Sequence, residues 1–209
     1  MEFVFFVVIA TVIGGVALGA WWFSAEQVAK RQLTSEAASP MAGLRPGQVV
    51  KVSGRVVVDE SVFSSFGQRP CALAIVRVEE KVGKNSWRKV GERVDARPFW
   101  LEDEQGERVR VEATGAQLVV NMEHKGSCGT FDSADPIEAQ VLESLGLGQT
   151  SMIGFNRNFR FYEGRLDPGE RVSVRGEVAV ESAGEEVFLA MRVPPDGRLI
   201  VSDHHGVHG

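Results

Sequence analysis

Hydrophobic positions along this chain change their period twice. From Phe3 to Phe23 the sequence is continuously apolar (FVFFVVIATVIGGVALGAWWF), with Thr11 as its only hydrogen-bonding interruption before the tryptophan pair. Such a run, at 1.5 Å per residue, spans roughly 31 Å, the thickness of a bilayer's hydrocarbon core. It has no polar face at helical spacing, Gly14, Gly15 and Gly19 are ordinary in membrane helices, and Trp21 and Trp22 stand at the headgroup level. The pattern predicts a transmembrane helix over residues 3–23 behind a short N-terminal tail, Met1 and Glu2. A cleaved signal peptide fits less well, because the N-terminal flank has no Lys or Arg and the apolar run is too long. Lys30, Arg31 and Arg45 follow the run, a bias that predicts N-out, C-in, with the remaining chain cytoplasmic.

Residues 24–46 read as a juxtamembrane helix and linker. Ser24–Ser39 is polar and rich in helix formers, and Pro40, Gly43, Pro46 and Gly47 break the chain. From Gln48 the period becomes two. QVVKVSGRVVVD, Pro70–Val82, Arg97–Glu102, Glu107–Glu112, Ala116–Met122, Phe159–Tyr162, Arg171–Glu181, Glu186–Val193 and Arg198–Ser202 read as strands, with Trp87 opening another after a turn at Gly83–Asn85. One soluble helix interrupts them: Asp135 as N-cap, Pro136 at the first position and Glu138 completing a capping box, with Ile137, Val141 and Leu145 on one face. Short strands punctuated by turns, with one inserted helix, predict a mainly β domain over residues 47–202. An antiparallel OB-like barrel is the first expectation and a β-sandwich the alternative. Residues 203–209 form a polar tail.

The net charge is −5 over 209 residues, with no basic stripe of the kind a nucleic-acid binder presents. The two cysteines, Cys71 and Cys128, have no metal-type spacing and read as buried thiols, reduced in a cytoplasmic setting and able to pair in an extracytoplasmic one.

Several segments, in order, resemble the GIDE domain of the membrane-anchored ubiquitin ligase family of MULAN type and its prokaryotic relatives. They are Gly54 in KVSGRV, Ser64-Ser65 ahead of Arg69-Pro70-Cys71-Ala72, Trp87, PFWLEDEQGERVRVE with Gly106, and FYEGRLDPGERVSVRGEV with Glu163, Pro168, Gly169 and Gly176. The resemblance spans most of residues 40–195 in short pieces. It implies an anchored β domain that binds substrates or partners. The ligase's RING has no counterpart here, so no ligase activity is carried over to any residue.

Candidate chemistry is sparse. His204, His205 and His208 cluster in the tail and at best make a weak surface metal site; a polar terminus is the simpler reading. His124 and Cys128, with Asp132 as a possible orienting group, suggest a nucleophile pair, but their glycine-rich segment reads as a loop. Arg157, Arg160 and Arg165 flank an aromatic strand and either contact an anion or solvate its outer face. Glu163 caps or braces the turn at Asp167–Gly169. Gly54, Gly106, Gly169 and Gly176 read as backbone-geometry positions. No catalytic residue and no cofactor is assigned. The expected function is a non-catalytic module that presents its β domain to a protein partner near the membrane, with the bilayer met through residues 3–23. Gly15 and Gly19 offer a small-xxx-small face for dimerisation. The alternatives are an enzyme using His124, Cys128 or acidic residues, and an OB-type oligomer binder with exposed aromatics and basic neighbours on one face.

Overall fold

β-branched residues at alternating positions carry most of the chain into strands, and which faces they bury decides how the strands are grouped. The computed structural model describes residues 25–129, 134–147, 158–195 and 197–204. Its first half contains helix α1 (Ala25–Ser35), a 3-10 turn (Met41–Gly43) and strands β1 (Val49–Val57), β2 (Val62–Phe63), β3 (Pro70–Cys71), β4 (Leu73–Lys81) and β5 (Trp87–Ala96). Strands β6 (Phe99–Glu102), β7 (Arg108–Val111), β8 (Gln117–Val119) and β9 (Glu123–Cys128) lead to helix α2 (Pro136–Ser144). The chain closes with β10 (Phe159–Leu166), β11 (Arg171–Ala183), β12 (Glu186–Arg192) and β13 (Ile200–Ser202).

These strands form three sheets. The large sheet has the order β1-β6-β7-β12-β11-β13-β8, the small sheet β5-β4-β10-β9, and β2 with β3 makes a ribbon. In the large sheet β1 is bonded on both edges, to β6 through Arg55–Val57 and to β11 through Val49–Arg55. The sheet therefore curls around its own apolar face, where Val52, Val56, Phe99, Leu101, Val174 and Met191 are buried. Gly54 lies on that face: a Cβ there would stand 2.7 Å from the Glu102 carbonyl oxygen and 2.9 Å from Met41 Cε. At Gly176 the obstacles to a Cβ are Leu199 Cδ1 at 2.5 Å and the Arg192 carbonyl oxygen at 2.7 Å. The hairpin turn at Asp103–Gly106 is as expected, with Gly106 at φ +84° and Asp103 Oδ1 accepting the Gln105 and Glu107 N–H groups.

The fold expectation needs correction. The strands are divided among three sheets and are not closed into one antiparallel OB-like barrel, and a two-sheet sandwich does not describe them either. Two pairings, β7–β12 and β13–β8, are parallel. The physical reason lies in β4. Leu73 and Ile75 join the core of the large sheet, while Val76 and Val78 pack under α2. A strand covered on both faces belongs to a layer between two others and not to a barrel wall with one wet side.

The membrane expectation is also corrected. Residues 3–23, with Trp21, Trp22, Gly15 and Gly19, lie outside the described residues. Among the described residues no helix is long and apolar enough to cross a membrane, so the structure gives no support to a single-pass protein with a cytoplasmic domain. The segment read as a juxtamembrane helix and linker does form a helix, and that helix is built into the fold. In α1, Ala29 and Leu33 are buried against Val119 of β8 and Ile200 of β13. Lys51, on the outer face of β1, is 2% exposed. Its ammonium donates to the Leu33 carbonyl at 2.9 Å and to the Glu36 carbonyl at 2.8 Å, satisfying acceptors at the helix C-terminus. Arg175 of β11 donates from Nε to both carboxylate oxygens of Glu36, at 3.0 and 2.9 Å.

Helix α2 starts as its sequence requires. Glu138 N–H donates to Asp135 Oδ1 at 2.8 Å and Asp135 N–H to Glu138 Oε2 at 3.1 Å, a reciprocal capping box with Pro136 at its first position. Its buried face is Val141 and Leu142; Ile137, expected on that face, is 36% exposed.

Lys51→Met keeps the stem and removes the donors. It is expected to lower unfolding free energy by about 1–3 kcal/mol, the cost of orphaned buried acceptors, and to make α1 susceptible to limited proteolysis. Urea unfolding and a protease time course check both.

Candidate functional site: the open face of the small sheet

Alternation gives the small sheet two unlike faces. Val76, Val78, Phe159 and Phe161 turn toward α2 and form a core with Val141 and Leu142. The register places Ile75, Arg77, Glu79 and Lys81 of β4 on the opposite face, beside Val94, Glu92, Lys89 and Trp87 of β5 and Arg160 and Tyr162 of β10. His124 of β9 joins them opposite Tyr162. The inner end of this face packs on the large sheet through Leu73, Ile75 and Leu166. Its outer end meets solvent, with Lys81, Lys89, Glu92 and His124 exposed.

Two stacked pairs stand on the open part. The Arg160 guanidinium lies 3.6 Å from the Trp87 ring centroid, a close cation–π contact. The Tyr162 and His124 rings meet edge to face at 5.5 Å and 71°, and His124 Nε2 lies 3.0 Å from Ser127 Oγ. Arg77 Nε donates to Glu92 Oε2 at 2.8 Å, and the Lys89 ammonium reaches Glu92 Oε1 at 3.3 Å. Burial disfavours the charged form of Glu92, but the hydrogen bond and charge of Arg77, aided by Lys89, outweigh it and hold the carboxyl below the usual carboxylate range.

Where this face meets β8, a cavity of about 400 Å³ opens. Ile75, Val94 and Leu118 form apolar wall, and Arg77, Lys89 and Arg198 bring three cations against the single carboxylate of Glu92. Arg198 is exposed and has no hydrogen bond or ion pair among the described residues. In a chain of net charge −5, this is a local positive excess.

The residue singled out by the FYEG motif sits elsewhere. Glu163 is 1% exposed; Oε1 accepts the Phe66 N–H at 3.0 Å, and Oε2 is buried without a hydrogen-bond partner among the described residues. It therefore braces the loop between β2 and β3, and not the turn at Asp167–Gly169. That turn, containing Pro168 and with Gly169 at φ +82°, is held by Asp167 N–H donating to Glu170 Oε2 at 2.8 Å. Glu163 also lines an acidic recess of about 200 Å³ with Asn121, Glu123, Asp167, Glu170 and Asp203. Arg165 supplies a cation there, its Nε donating to Asp167 Oδ1 at 2.9 Å and Oδ2 at 3.1 Å. Asp203 accepts the Asn121 N–H through both oxygens, at 3.1 and 3.0 Å. Burial, then the neighbouring charges of Asp203 and Asp167, raises Glu170 above the usual carboxylate range, against the Asp167 N–H bond that lowers it.

The proposed nucleophile pair is not assembled. His124 and Cys128 both lie in β9, where four residues of extended chain separate them by about 13 Å. Asp132 lies outside the described residues. Cys71 and Cys128 are buried free thiols. Burial, followed by the charges of Asp167 and Glu163, pushes the Cys71 thiol up to about 11, and its Sγ donates to the Val62 carbonyl at 3.7 Å. Of the tail histidines, His204 lies 3.7 Å from Asp203 through Nδ1; His205 and His208 lie outside the described residues. Among the described residues no three His, Cys, Asp or Glu side chains are grouped to hold a metal ion. Of the three arginines, Arg160 stacks, Arg165 is paired, and Arg157 lies outside the described residues.

A second aromatic group, Trp100 with Phe188 at 5.2 Å under Arg110, is satisfied within itself. Trp100 Nε1 donates to Asp59 at 2.8 Å and Arg110 pairs with Glu112 at 3.2 Å. Sequence reading passed over Arg77, Lys89 and Tyr162, although their alternation with Val76, Val78 and Phe161 marks them as the uncovered face. Arg198 had no such signal, because only tertiary pairing brings it to β4 and β5.

Glu163→Ala is expected to cost about 2–4 kcal/mol, from the cavity and the orphaned Phe66 N–H; Glu163→Gln keeps the acceptor and costs less by chemical denaturation. For Glu170, a folded pKa above the unfolded value means its stabilising contribution is complete below about pH 4.5 and is lost as pH rises through the folded pKa. Glu170→Gln removes this loss, so its melting temperature relative to the unmutated protein is expected to rise between pH 4 and pH 7.

No family model matches this chain, and no curated protein and no solved structure matches it. Nothing among known proteins therefore supports the GIDE resemblance or a ligase-related reading, and the site rests on its own geometry.

Proposed function

We propose that this chain is a non-catalytic binding module that docks a protein partner on the open face of the small sheet. The observation that carries the reading is the solvent-open surface of Trp87–Arg160 and Tyr162–His124, bordered by cations in excess of their carboxylates. Trp, Tyr and Arg are the residue types that dominate binding energy at protein interfaces. They stand here on strands held from behind by the core under α2, so little conformational entropy is lost when a partner docks. An enzymatic reading finds less support: the Cys71 thiol is protonated near neutral pH, and His124 stands far along its strand from Cys128.

The reading is tested by photo-crosslinking in cells, with a photoreactive residue at Lys81 on the open face, outside the cavity, or at Val180 on the β11–β12 hairpin. A discrete crosslinked protein from position 81 and none from 180 is expected; equal crosslinking from both, or none from 81, overturns it. Tyr162→Ala is expected to weaken capture of that protein about tenfold, equivalent to about 1.4 kcal/mol, with an unchanged melting temperature.

A further inference from the structure

The cavity at the junction of β4, β5 and β8 gives the docking face a chemical preference, and the inference rests on the reading of that face as a binding surface. We propose that the partner enters this cavity with an acidic peptide segment: a carboxylate side chain held by Arg198, Lys89 and Arg77, and an adjacent apolar side chain against Ile75, Val94 and Leu118.

Donor accounting supports a carboxylate. Arg77 spends its Nε–H on Glu92, and Lys89 makes one contact to the same carboxylate, which leaves Arg77 with its terminal N–H groups and the Lys89 ammonium with further donors. Arg198 spends none on the described residues. Glu92 bridges Arg77 and Lys89, so two of the three cations are held in place before any ligand arrives, while Arg198 supplies the uncommitted fork that a carboxylate fits in bidentate fashion. The cations lie within a screening length of one another, so their fields add at the cavity mouth.

The apolar wall narrows the choice between anions. Val94 is 45% exposed beside the cations, an apolar surface that an inorganic anion leaves wet and a peptide side chain covers. A nucleic-acid strand fits less well: Glu79 and Glu92 stand among the basic residues of the same face and oppose a continuous phosphate backbone. A peptide presents separated charges and can place one carboxylate without laying others against Glu79.

The test uses the full chain and fluorescence anisotropy, with three fluorescein-labelled probes: a decapeptide alternating Glu and Leu, its counterpart alternating Gln and Leu, and a thymidine decanucleotide. The Glu peptide is expected to bind at least about tenfold more tightly than the Gln peptide. Arg198→Ala and Lys89→Ala, both at exposed positions, are each expected to remove most of that preference, and Arg45→Ala, outside the cavity, to leave it unchanged. Equal binding of the two peptides, or an unchanged preference in Arg198→Ala, overturns the acidic segment. Tighter binding of the oligonucleotide replaces it with a nucleic-acid ligand. If the preference is absent while crosslinking from position 81 persists, the docking face stands and only its acidic specificity falls. Loss of both removes the underlying reading as well.

Discussion

The structure depends on the double engagement of β1. One edge pairs with β6 and the other with β11, so β1 must present hydrogen-bonding groups on both sides over a short length of chain. Its two faces are equally committed. Val52 and Val56 lie in the core of the large sheet, and Gly54 between them leaves room for the Glu102 carbonyl and the Met41 methyl group. On the other face, Lys51 is buried under the segment after α1, and its ammonium is the donor for carbonyls that the helix leaves unpaired. Burying that charge lowers the Lys51 pKa, although Glu36 offsets part of the effect. One strand thus sets the curl of the large sheet and the seating of the first helix.

The small sheet turns alternation into two unlike faces. Its apolar face is sealed by α2, and its inner end is held by Leu73, Ile75 and Leu166 on the large sheet. Only the outer part of the opposite face remains wet, and that part carries Trp87, Arg160, Tyr162 and His124. Its support comes from behind and from the side, so the side chains of the wet part are not needed to hold the sheet in place. The acidic recess around Glu163 has the opposite character. Arg165 pairs with Asp167, the Asn121 N–H bonds Asp203, and Glu163 ties the β2–β3 loop to β10 through Phe66. The contacts there hold the fold together, whereas Arg198 at the open face has no hydrogen bond or ion pair among the described residues.

Much of the local structure was legible in the chain. The capping box at Asp135–Glu138, the Asp103–Gly106 hairpin and most strands follow from side-chain chemistry acting over four or five residues, but β9, whose glycines read as a loop, is a strand because it pairs with β10. Glu163 was recognisable as unusual, but its bond to Phe66 joins residues 97 apart in sequence, so its role was misplaced to the nearer turn. The expected barrel failed for a related reason. A period of two reports that a strand has a buried face; it does not report which strand lies beside it or whether the second face is also covered. β4 carries the evidence, with Leu73–Val76 buried on both sides.

By itself, then, the amino-acid sequence determined most of the segments that become strands and helices and where they turn, because propensity, capping and glycine geometry act through near neighbours. Tertiary structure alone decided the grouping into three sheets, the docking of α1 through Lys51, and the meeting of Arg77, Lys89 and Arg198 at one cavity. Those outcomes depend on long-range pairing. The β13–β8 register, with Ile200 opposite Gln117 and Val201 opposite Leu118, brings the chain just ahead of β13 to the edge of β4 and β5, carrying Arg198 with it. Its surroundings there come from neighbours that no local pattern could name.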